Sequence, residues 1–247
     1  MIGFVRQLLR ALLPKVTVTT RAPDREFIKR YVCAKLDPRG VMVDIGAGTG
    51  TGPESFIAET GLRAENCILI EACPENFRHL ASRCRGARLL NLAIADRDGT
   101  IPFYVADDPR WEGSSKSNTI IDGVIDEKYR GKTRRIDVPS LKLGTLFSEQ
   151  KIDQVELLMV NCEGAEYLIF SNGIDCLANT RFVWLEFHGF SRALNKFIEE
   201  KRRIFDRFEA AGFIRVAGMR RNEIDESFVH TMVLFERFGP AAPVATA

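Results

Sequence analysis

Three features that would narrow the class of this protein are missing from its sequence. None of the six cysteines forms a C-x-x-C pair, so neither a disulfide framework nor a zinc site is indicated. No apolar run approaches the roughly 20 residues of a membrane-spanning helix. The charges nearly cancel, with 35 Lys and Arg against 33 Asp and Glu, so no basic surplus points to a nucleic-acid partner. We therefore expect a cytoplasmic protein with reduced, mostly buried thiols.

The composition is that of a globular protein. Of the 247 residues, 45% are hydrophobic and 28% charged, which excludes wholesale disorder and gives enough chain to bury a sizeable core. We expect N-terminal helices over 1–36, one main domain over 37–238 and a disordered tail over 239–247. A long polar segment near 106–133, which contains Trp111 and the serine-rich run 114–118, is predicted to be a substrate loop, with disorder as the alternative.

The first residues allow two interpretations. Val5, Leu8 and Leu12 fall at helical spacing, while Arg6 and Arg10 interrupt the apolar stretch and argue against a signal peptide. The segment is predicted to be a helix that caps the domain. The alternative is weak membrane association through residues 1–13.

Apolar runs alternate with helical patterns along the main domain. Strands are predicted over 41–46, 67–72, 87–95, 155–161 and 182–188, with extra strands over 99–105 and 134–140 and a closing antiparallel hairpin over 213–220 and 228–237. Helices are predicted over 24–36, 53–60, 74–84 and 191–211, and the Lys201–Arg203 cluster in the last of these is interpreted as a solvated face. This alternation indicates an α/β, doubly wound, mostly parallel sheet.

A glycine-rich turn after the first predicted strand carries the strongest functional signal. It reads Asp44-Ile-Gly46-Ala-Gly48-Thr-Gly50, and Glu71 ends the next strand. Glycines at such a turn let the backbone approach a ligand, and an acid at the end of the next strand accepts hydrogen bonds from ribose hydroxyls. Nicotinamide dinucleotides and S-adenosylmethionine (SAM) both fit this pattern. The spacing departs from G-x-G-x-x-G, and an acid before the first glycine suits the cationic sulfonium better than a diphosphate.

The blocks that follow strengthen the SAM interpretation. VDIGAGTGTGPESF, ILIEACPENFRHL, NLAIADRDGTIPFYV, RIDVPSLKLGTLF, VELLMVNCEGAEYLIF and VWLEFH resemble, in order, the blocks of the FkbM-like family of SAM-dependent methyltransferases. The resemblance implies a Rossmann-like seven-stranded sheet with an antiparallel terminal strand. It also implies methyl transfer to a hydroxyl of a small molecule, sugar or natural product.

The resemblance further implies which residues bind the cofactor. Asp44, Gly46, Gly48 and Gly50 would form the turn at its amino-acid end, Glu71 would bind the ribose, and Asn91 and Ala93 would contact the adenine edge. A turn-forming role is the alternative for Asn91. The family commonly has Asp where this chain has Asn161, which cannot accept a proton at neutral pH.

Three ionisable residues lie at or just after the carboxyl ends of core strands and are candidates for catalysis. Glu186 and His188 lie two apart on one strand and so share a face, and Glu163 follows the preceding core strand. His188 is the predicted general base, with a structural histidine as the alternative. No metal site is predicted, and the oligomeric state is left open. A catalytically silent SAM- or nucleotide-binding module, suggested by Asn161, and a nucleic-acid methyltransferase are the competing functions.

Overall fold

The computed structural model describes residues 25–106, 118–124, 133–188, 197–224 and 230–238. Three of the sequence predictions lie outside these residues: the N-terminal segment with its membrane-anchor alternative, the Trp111 and 114–117 part of the substrate loop, and the 239–247 tail. No helix in the described residues is long and apolar enough to cross a membrane.

Ten strands and six α-helices form the described structure. The strands are β1 Met42–Ile45, β2 Cys67–Ile70, β3 Arg88–Leu90, β4 Ala93–Ala95, β5 Gly99–Ala106, β6 Thr133–Lys142, β7 Val155–Val160, β8 Thr180–His188, β9 Phe213–Gly218 and β10 His230–Arg237. The helices are α1 Arg25–Lys35, α2 Thr51–Thr60, α3 Pro74–Arg83, α4 Leu143–Glu149, α5 Glu166–Ile169 and α6 Ile198–Ala210.

Seven strands form one twisted sheet in the order β3-β2-β1-β7-β8-β10-β9. The first five are parallel, and β10 pairs antiparallel with both β8 and β9. The predicted doubly wound sheet with an antiparallel terminal hairpin is therefore confirmed. The strand order reverses beside β1, which is the place where ligands bind in open α/β sheets.

The core lies on both faces of this sheet because most residues of its central strands are apolar. Every residue of β1 is buried. On one face, Ile28 of α1, Phe56 of α2 and Leu80 of α3 pack in a single cluster. On the other face, a second cluster contains Leu143 of α4, Phe208 of α6, and Phe170, which directly follows α5. The sheet is thus the middle of three layers, as in other doubly wound folds.

The predicted third strand over 87–95 is wrong as a single element. Residues 88–90 pair with β2, but residues 93–95 leave that sheet and pair with β6 in a smaller sheet of order β4-β6-β5. Asn91 lies at the break, and its side-chain amide donates hydrogen bonds to the carbonyls of Glu71 and Ala72 at 2.8 and 3.2 Å. Since those bonds hold the turn beside β2, the chain bends where hydropathy shows a continuous run.

Helix α1 belongs to the same packed body as the sheet. Ile28 and Val32 are fully buried, and the Tyr31 hydroxyl donates a 2.7 Å hydrogen bond to Glu236 on β10. The predicted boundary at residue 36 therefore falls between elements that share a core. The predicted helix over 191–211 is observed over 198–210, and residues 191–196 lie outside the described part.

Candidate functional site

The turn between β1 and α2 is shaped by glycines with left-handed backbones. Gly46 has φ +89° and Gly48 has φ +60°, conformations that side chains rarely adopt. A Cβ on Gly46 would lie 1.9 Å from the Asn161 carbonyl oxygen, whereas one on Gly48 would meet nothing within 4 Å. Gly46 thus lets the ends of β1 and β7 approach, and Gly48 leaves open space above the turn.

Gly50 has a different role from the other two glycines. It precedes α2 with φ +85°, and a Cβ there would lie 3.1 Å from the Leu80 side chain and 3.3 Å from the Cys84 sulfur. Gly50 therefore serves the close packing of α2 against α3. It is not among the residues that line the neighbouring cavity.

A cavity of about 830 Å³ opens above this turn, at the carboxyl ends of the strands. This volume lies within the range that small-molecule and cofactor sites occupy. Arg25 and Lys29 of α1 lie in its wall, as do Phe103, Asn118 and Thr119 beside the small sheet. Seven of the ten predicted site residues line it: Asp44, Gly46, Gly48, Glu71, Ala93, Glu163 and Glu186.

Asp44 is a buried carboxylate at the floor of the cavity. Its exposure is 4%, and within the described residues it accepts no hydrogen bond. Burial, reinforced by the nearby charge of Glu71, raises its pKa from 3.8 to about 7, although Arg25 opposes the shift. A carboxylate that is desolvated in this way favours a cationic ligand, since a positive charge stabilises the ionised form.

Glu71 joins the glycine turn to the start of α3. One carboxylate oxygen accepts the amide of Gly48 at 2.8 Å, and the other accepts the amide of Cys73 at 2.8 Å. Burial raises the pKa of Glu71, and the two backbone hydrogen bonds together with one from Asn76 oppose that rise. The oxygen that accepts the Gly48 amide keeps acceptor capacity beyond this bond, so Glu71 can hold the turn and still accept a ribose hydroxyl.

The two residues predicted at the adenine edge separate. Ala93 lines the cavity together with Leu92 and Ile94. The side-chain amide of Asn91 instead binds the backbone carbonyls of Glu71 and Ala72, and Asn91 is not part of the lining. Asn91 thus holds the backbone of Glu71 and Ala72 in place, which agrees with the turn-forming alternative.

The part of the cavity wall that follows β7 and β8 carries an amide and two carboxylates. The Asn161 amide donates a 2.9 Å hydrogen bond to Glu186, so these side chains form a pair across the ends of β7 and β8. Glu163 follows Asn161 in the β7–α5 turn and has φ +49°, a left-handed conformation that is costly for a residue with a side chain. All three residues face the cavity.

His188 lies behind this wall instead of in it. Its side chain is 4% exposed, with Nδ1 2.8 Å from Glu166 and Nε2 3.8 Å from Glu163, and it is absent from the cavity lining. Burial alone would lower the pKa of His188, but Glu166, Glu163 and Glu186 outweigh it and raise the pKa above 6.5. A raised pKa favours the protonated imidazole, which is a hydrogen-bond donor, and this does not suit the predicted role of free general base.

Two residues of this region were not recognised as functional candidates from sequence. Glu166 is fully buried, and its position in the E-G-A-E block was the available signal. Lys201, predicted on a solvated face, is also fully buried, and its ammonium donates a 2.5 Å hydrogen bond to the His188 carbonyl. Burial lowers its pKa to about 8 against the opposing charge of Glu166. Nothing in the local charge pattern separates Lys201 from its exposed neighbour Arg203.

The described residues include no group of three or more His, Cys, Asp or Glu side chains arranged to hold a metal ion. All six cysteines are free thiols, and Cys67, Cys73 and Cys84 are buried.

The sheet order, the glycine turn after β1 and the acid after β2 define a Rossmann-like methyltransferase. The chain belongs to the FkbM methyltransferase family, since residues 44–215 match the methyltransferase FkbM domain. The methyl donor of such enzymes is SAM. The buried Asp44 carboxylate and the open space at Gly48 fit this cofactor.

A curated relative supports the same assignment. The chain is 26% identical over 172 residues to the 2-O-methyltransferase NoeI of Sinorhizobium fredii, and the match covers 65% of this chain and 68% of that protein.

Solved structures resemble the fold at low sequence identity. A Streptococcus pneumoniae protein assigned as a tRNA (m1A22) methyltransferase, solved with SAM, has 15% identity and a TM-score of 0.43, with 89% of this chain and 75% of that chain covered. An rRNA methylase from Streptococcus thermophilus has 10% identity and a TM-score of 0.46, with 86% and 95% covered.

Proposed function

We propose that this methyltransferase moves the SAM methyl group to a hydroxyl of a small molecule, with a sugar as the favoured class of acceptor. The observation that carries the proposal is that two pairs of carboxylates line one cavity. Asp44 and Glu71, on β1 and just after β2, lie beside the glycine turn, and we call this part the first end. Glu163 and Glu186, just after β7 and on β8, line the part that we call the second end. The similarity to a 2-O-methyltransferase supports a hydroxyl acceptor.

At the first end, the residues suit the parts of the cofactor. Asp44 would pair with its cationic amino-acid portion, Gly48 would let the backbone approach, and Glu71 would accept the ribose hydroxyls. Ala93, which lines the same cavity, would pack against the adenine. SAM supplies a methyl group on a positively charged sulfur, already activated for displacement.

At the second end, the carboxylates suit a hydroxyl that loses its proton. Much of the rate of such a displacement comes from holding the acceptor oxygen in line with the methyl group. A carboxylate in contact with the hydroxyl takes its proton as the new C–O bond forms, a contribution of roughly 10²–10⁴-fold. Glu186 and Glu163 can both contact the acceptor, whereas His188 acts from behind them.

Asn161 does not argue for a silent protein in this arrangement. Its amide donates to one oxygen of Glu186 and adds no negative charge beside it. A carboxylate has about four lone-pair sites, so Glu186 can accept the hydroxyl in addition to this bond. An acid at position 161 would face Glu186 at hydrogen-bond distance, and two such carboxylates share a proton.

The test combines cofactor binding with methyl transfer. Calorimetry should show that S-adenosylhomocysteine (SAH) binds and that NADH does not, and labelled SAM should transfer its methyl group to at least one member of a panel of sugars and small alcohols. Replacing Glu163 and Glu186 together by glutamine should retain SAH binding and lower activity by about 10²-fold or more, because no carboxylate is then left to take the proton. Glu149→Gln, an exposed change on α4, is the control. Transfer to RNA alone, or NADH binding without SAH binding, would contradict the proposal.

A further inference from the structure

Four ionisable side chains form a cluster next to the part of the cavity that Glu163 and Glu186 line. The cluster consists of Glu163, Glu166, His188 and Lys201. The His188 ring lies between two carboxylates, 2.8 Å from Glu166 on one side and 3.8 Å from Glu163 on the other. Glu163 alone of the four lines the cavity.

Burial on this scale is costly unless the charges are paired. The Glu166 and His188 side chains are 0% and 4% exposed, and Lys201 is also fully buried. Apolar residues of the same shape often stabilise a core at least as well as a buried charged group does. The cluster therefore calls for an explanation beyond stability.

Glu166 holds the backbone of the turn that presents Glu163. One of its carboxylate oxygens accepts the amides of Cys162 at 3.3 Å and Gly164 at 3.1 Å. These amides flank Glu163, whose φ of +49° is strained. The same oxygen contacts His188, so one carboxylate fixes both the turn and the ring.

Lys201 fixes the other side of the cluster. Its ammonium donates to the carbonyl of His188, the last residue of β8. This bond ties α6 to the end of the strand, so the ring of His188 is restrained through its backbone as well as through Glu166.

We propose that Glu166, His188 and Lys201 are positioning residues that hold Glu163 at the cavity wall, where it takes the proton of the acceptor hydroxyl. This inference rests on the proposed function. The C–O bond forms as the S–CH₃ bond breaks, the sulfur keeps the electron pair, and SAH results. The hydroxyl proton passes to Glu163 and then to solvent.

The charges around His188 determine how pH affects the protonation of His188 and Glu163. Among the described residues, Glu166 of α5, Glu163 of the β7–α5 turn and Glu186 of its own strand face the ring, and Lys201 of α6 binds its carbonyl. Three carboxylates against one ring favour the imidazolium. The positive charge in turn favours an ionised Glu163, so removing it should make that carboxylate easier to protonate.

The first test measures activity against pH in matched variants. His188→Gln keeps a side chain that can donate to Glu166 but removes the charge. We expect kcat at pH 7 to fall 10- to 100-fold with SAH affinity within twofold, and the acidic limb of the pH profile to move up by about one unit. Glu166→Gln should lose activity in the same range, and Glu166→Asp should recover part of it. His79→Gln, on the polar helix α3, is the control.

A purely structural role gives a different pattern. It would lower kcat equally at every pH, or lower SAH affinity with it, and either result would overturn the proposal. Unchanged kcat in His188→Gln would overturn it as well.

The second test needs no acceptor. The chain has three histidines, so ¹³C-labelled imidazoles can be followed one by one by NMR. His188 should titrate above pH 6.5, and Glu163→Gln should lower its pKa by about one unit. A His188 pKa that does not respond to Glu163→Gln would overturn the inference. If the wild-type protein transfers no methyl group, the proposed function fails, and this measurement alone decides whether His188 and Glu163 are coupled.

Discussion

Replacing Asp44 by asparagine should stabilise the cofactor-free protein and weaken SAM binding at the same time. Asp44 is buried at the cavity floor, and its pKa rises from 3.8 to about 7 because burial and Glu71 disfavour the charge. The folded state therefore holds the proton more tightly than the unfolded state does. Ionisation of Asp44 then destabilises the fold progressively as pH rises from about 4 to about 7, and the cost stays constant above that.

The magnitude follows from the size of the shift. At 1.36 kcal/mol per pH unit, a rise from 3.8 to about 7 corresponds to a cost on the order of 4 kcal/mol at pH 8. Asparagine has nearly the same shape and no charge to bury. The free energy of unfolding of Asp44→Asn relative to wild type should thus increase between pH 4 and pH 8 by up to this amount.

Cofactor binding should show the opposite pH dependence. If SAM binds the ionised carboxylate, wild-type affinity rises about tenfold from pH 6 to pH 8, since ionisation centred near pH 7 changes the competent fraction by that factor. Asp44→Asn should bind more weakly at pH 8, with a flat profile. Calorimetry and urea unfolding over this range provide the assay, with Asp137→Asn on β6 as the exposed control. Equal SAM affinity and equal pH dependence in wild type and Asp44→Asn would refute the reasoning.

Three further outcomes are expected. Glu71→Gln should lower both SAH affinity and stability, measured by calorimetry and urea unfolding, because its amide group would face one of the two backbone N–H groups that Glu71 now accepts; the unfolding loss should be about 1–3 kcal/mol. Gly46→Ala should give little folded protein by circular dichroism, because its Cβ would overlap the Asn161 carbonyl. Asn161→Asp should move the acidic limb of the activity profile to higher pH, with activity recovering in alkali, because an added negative charge makes the neighbouring carboxylates Glu163 and Glu186 easier to protonate.

The topology of the main sheet could be predicted from sequence because each central strand is a short apolar run with its own turn signals. Such runs are typical of strands that are covered on both faces, and the structure has helices on both. The cavity could be predicted for a related reason. Asp44, Glu71, Glu163 and Glu186 each lie at or just after the carboxyl end of a parallel strand, and those ends meet at one edge of the sheet.

Two parts of the prediction failed because long-range contacts decide them. The run 87–95 is mostly apolar, yet Asn91 hydrogen-bonds to the turn after β2 and the strand divides there. Lys201 lies among charged neighbours on α6, yet it faces the buried side of the helix and binds the His188 carbonyl. Local hydropathy and charge patterns predict neither contact, because the bonded residues are 20 positions apart in the first case and 13 in the second.

The position of His188 could not be predicted from strand geometry alone. Residues two apart on a strand point to the same side of the sheet, so strand geometry predicts that Glu186 and His188 contact the same ligand. Glu186 does line the cavity. His188 is the last residue of β8, and its Nδ1 lies 2.8 Å from the buried carboxylate of Glu166 on α5, so its ring is held outside the cavity. A histidine between two carboxylates is better suited to fix their positions and charge than to remove a proton itself. We therefore expect the general base to be one of the carboxylates that line the cavity, and we expect His188 to hold them in position.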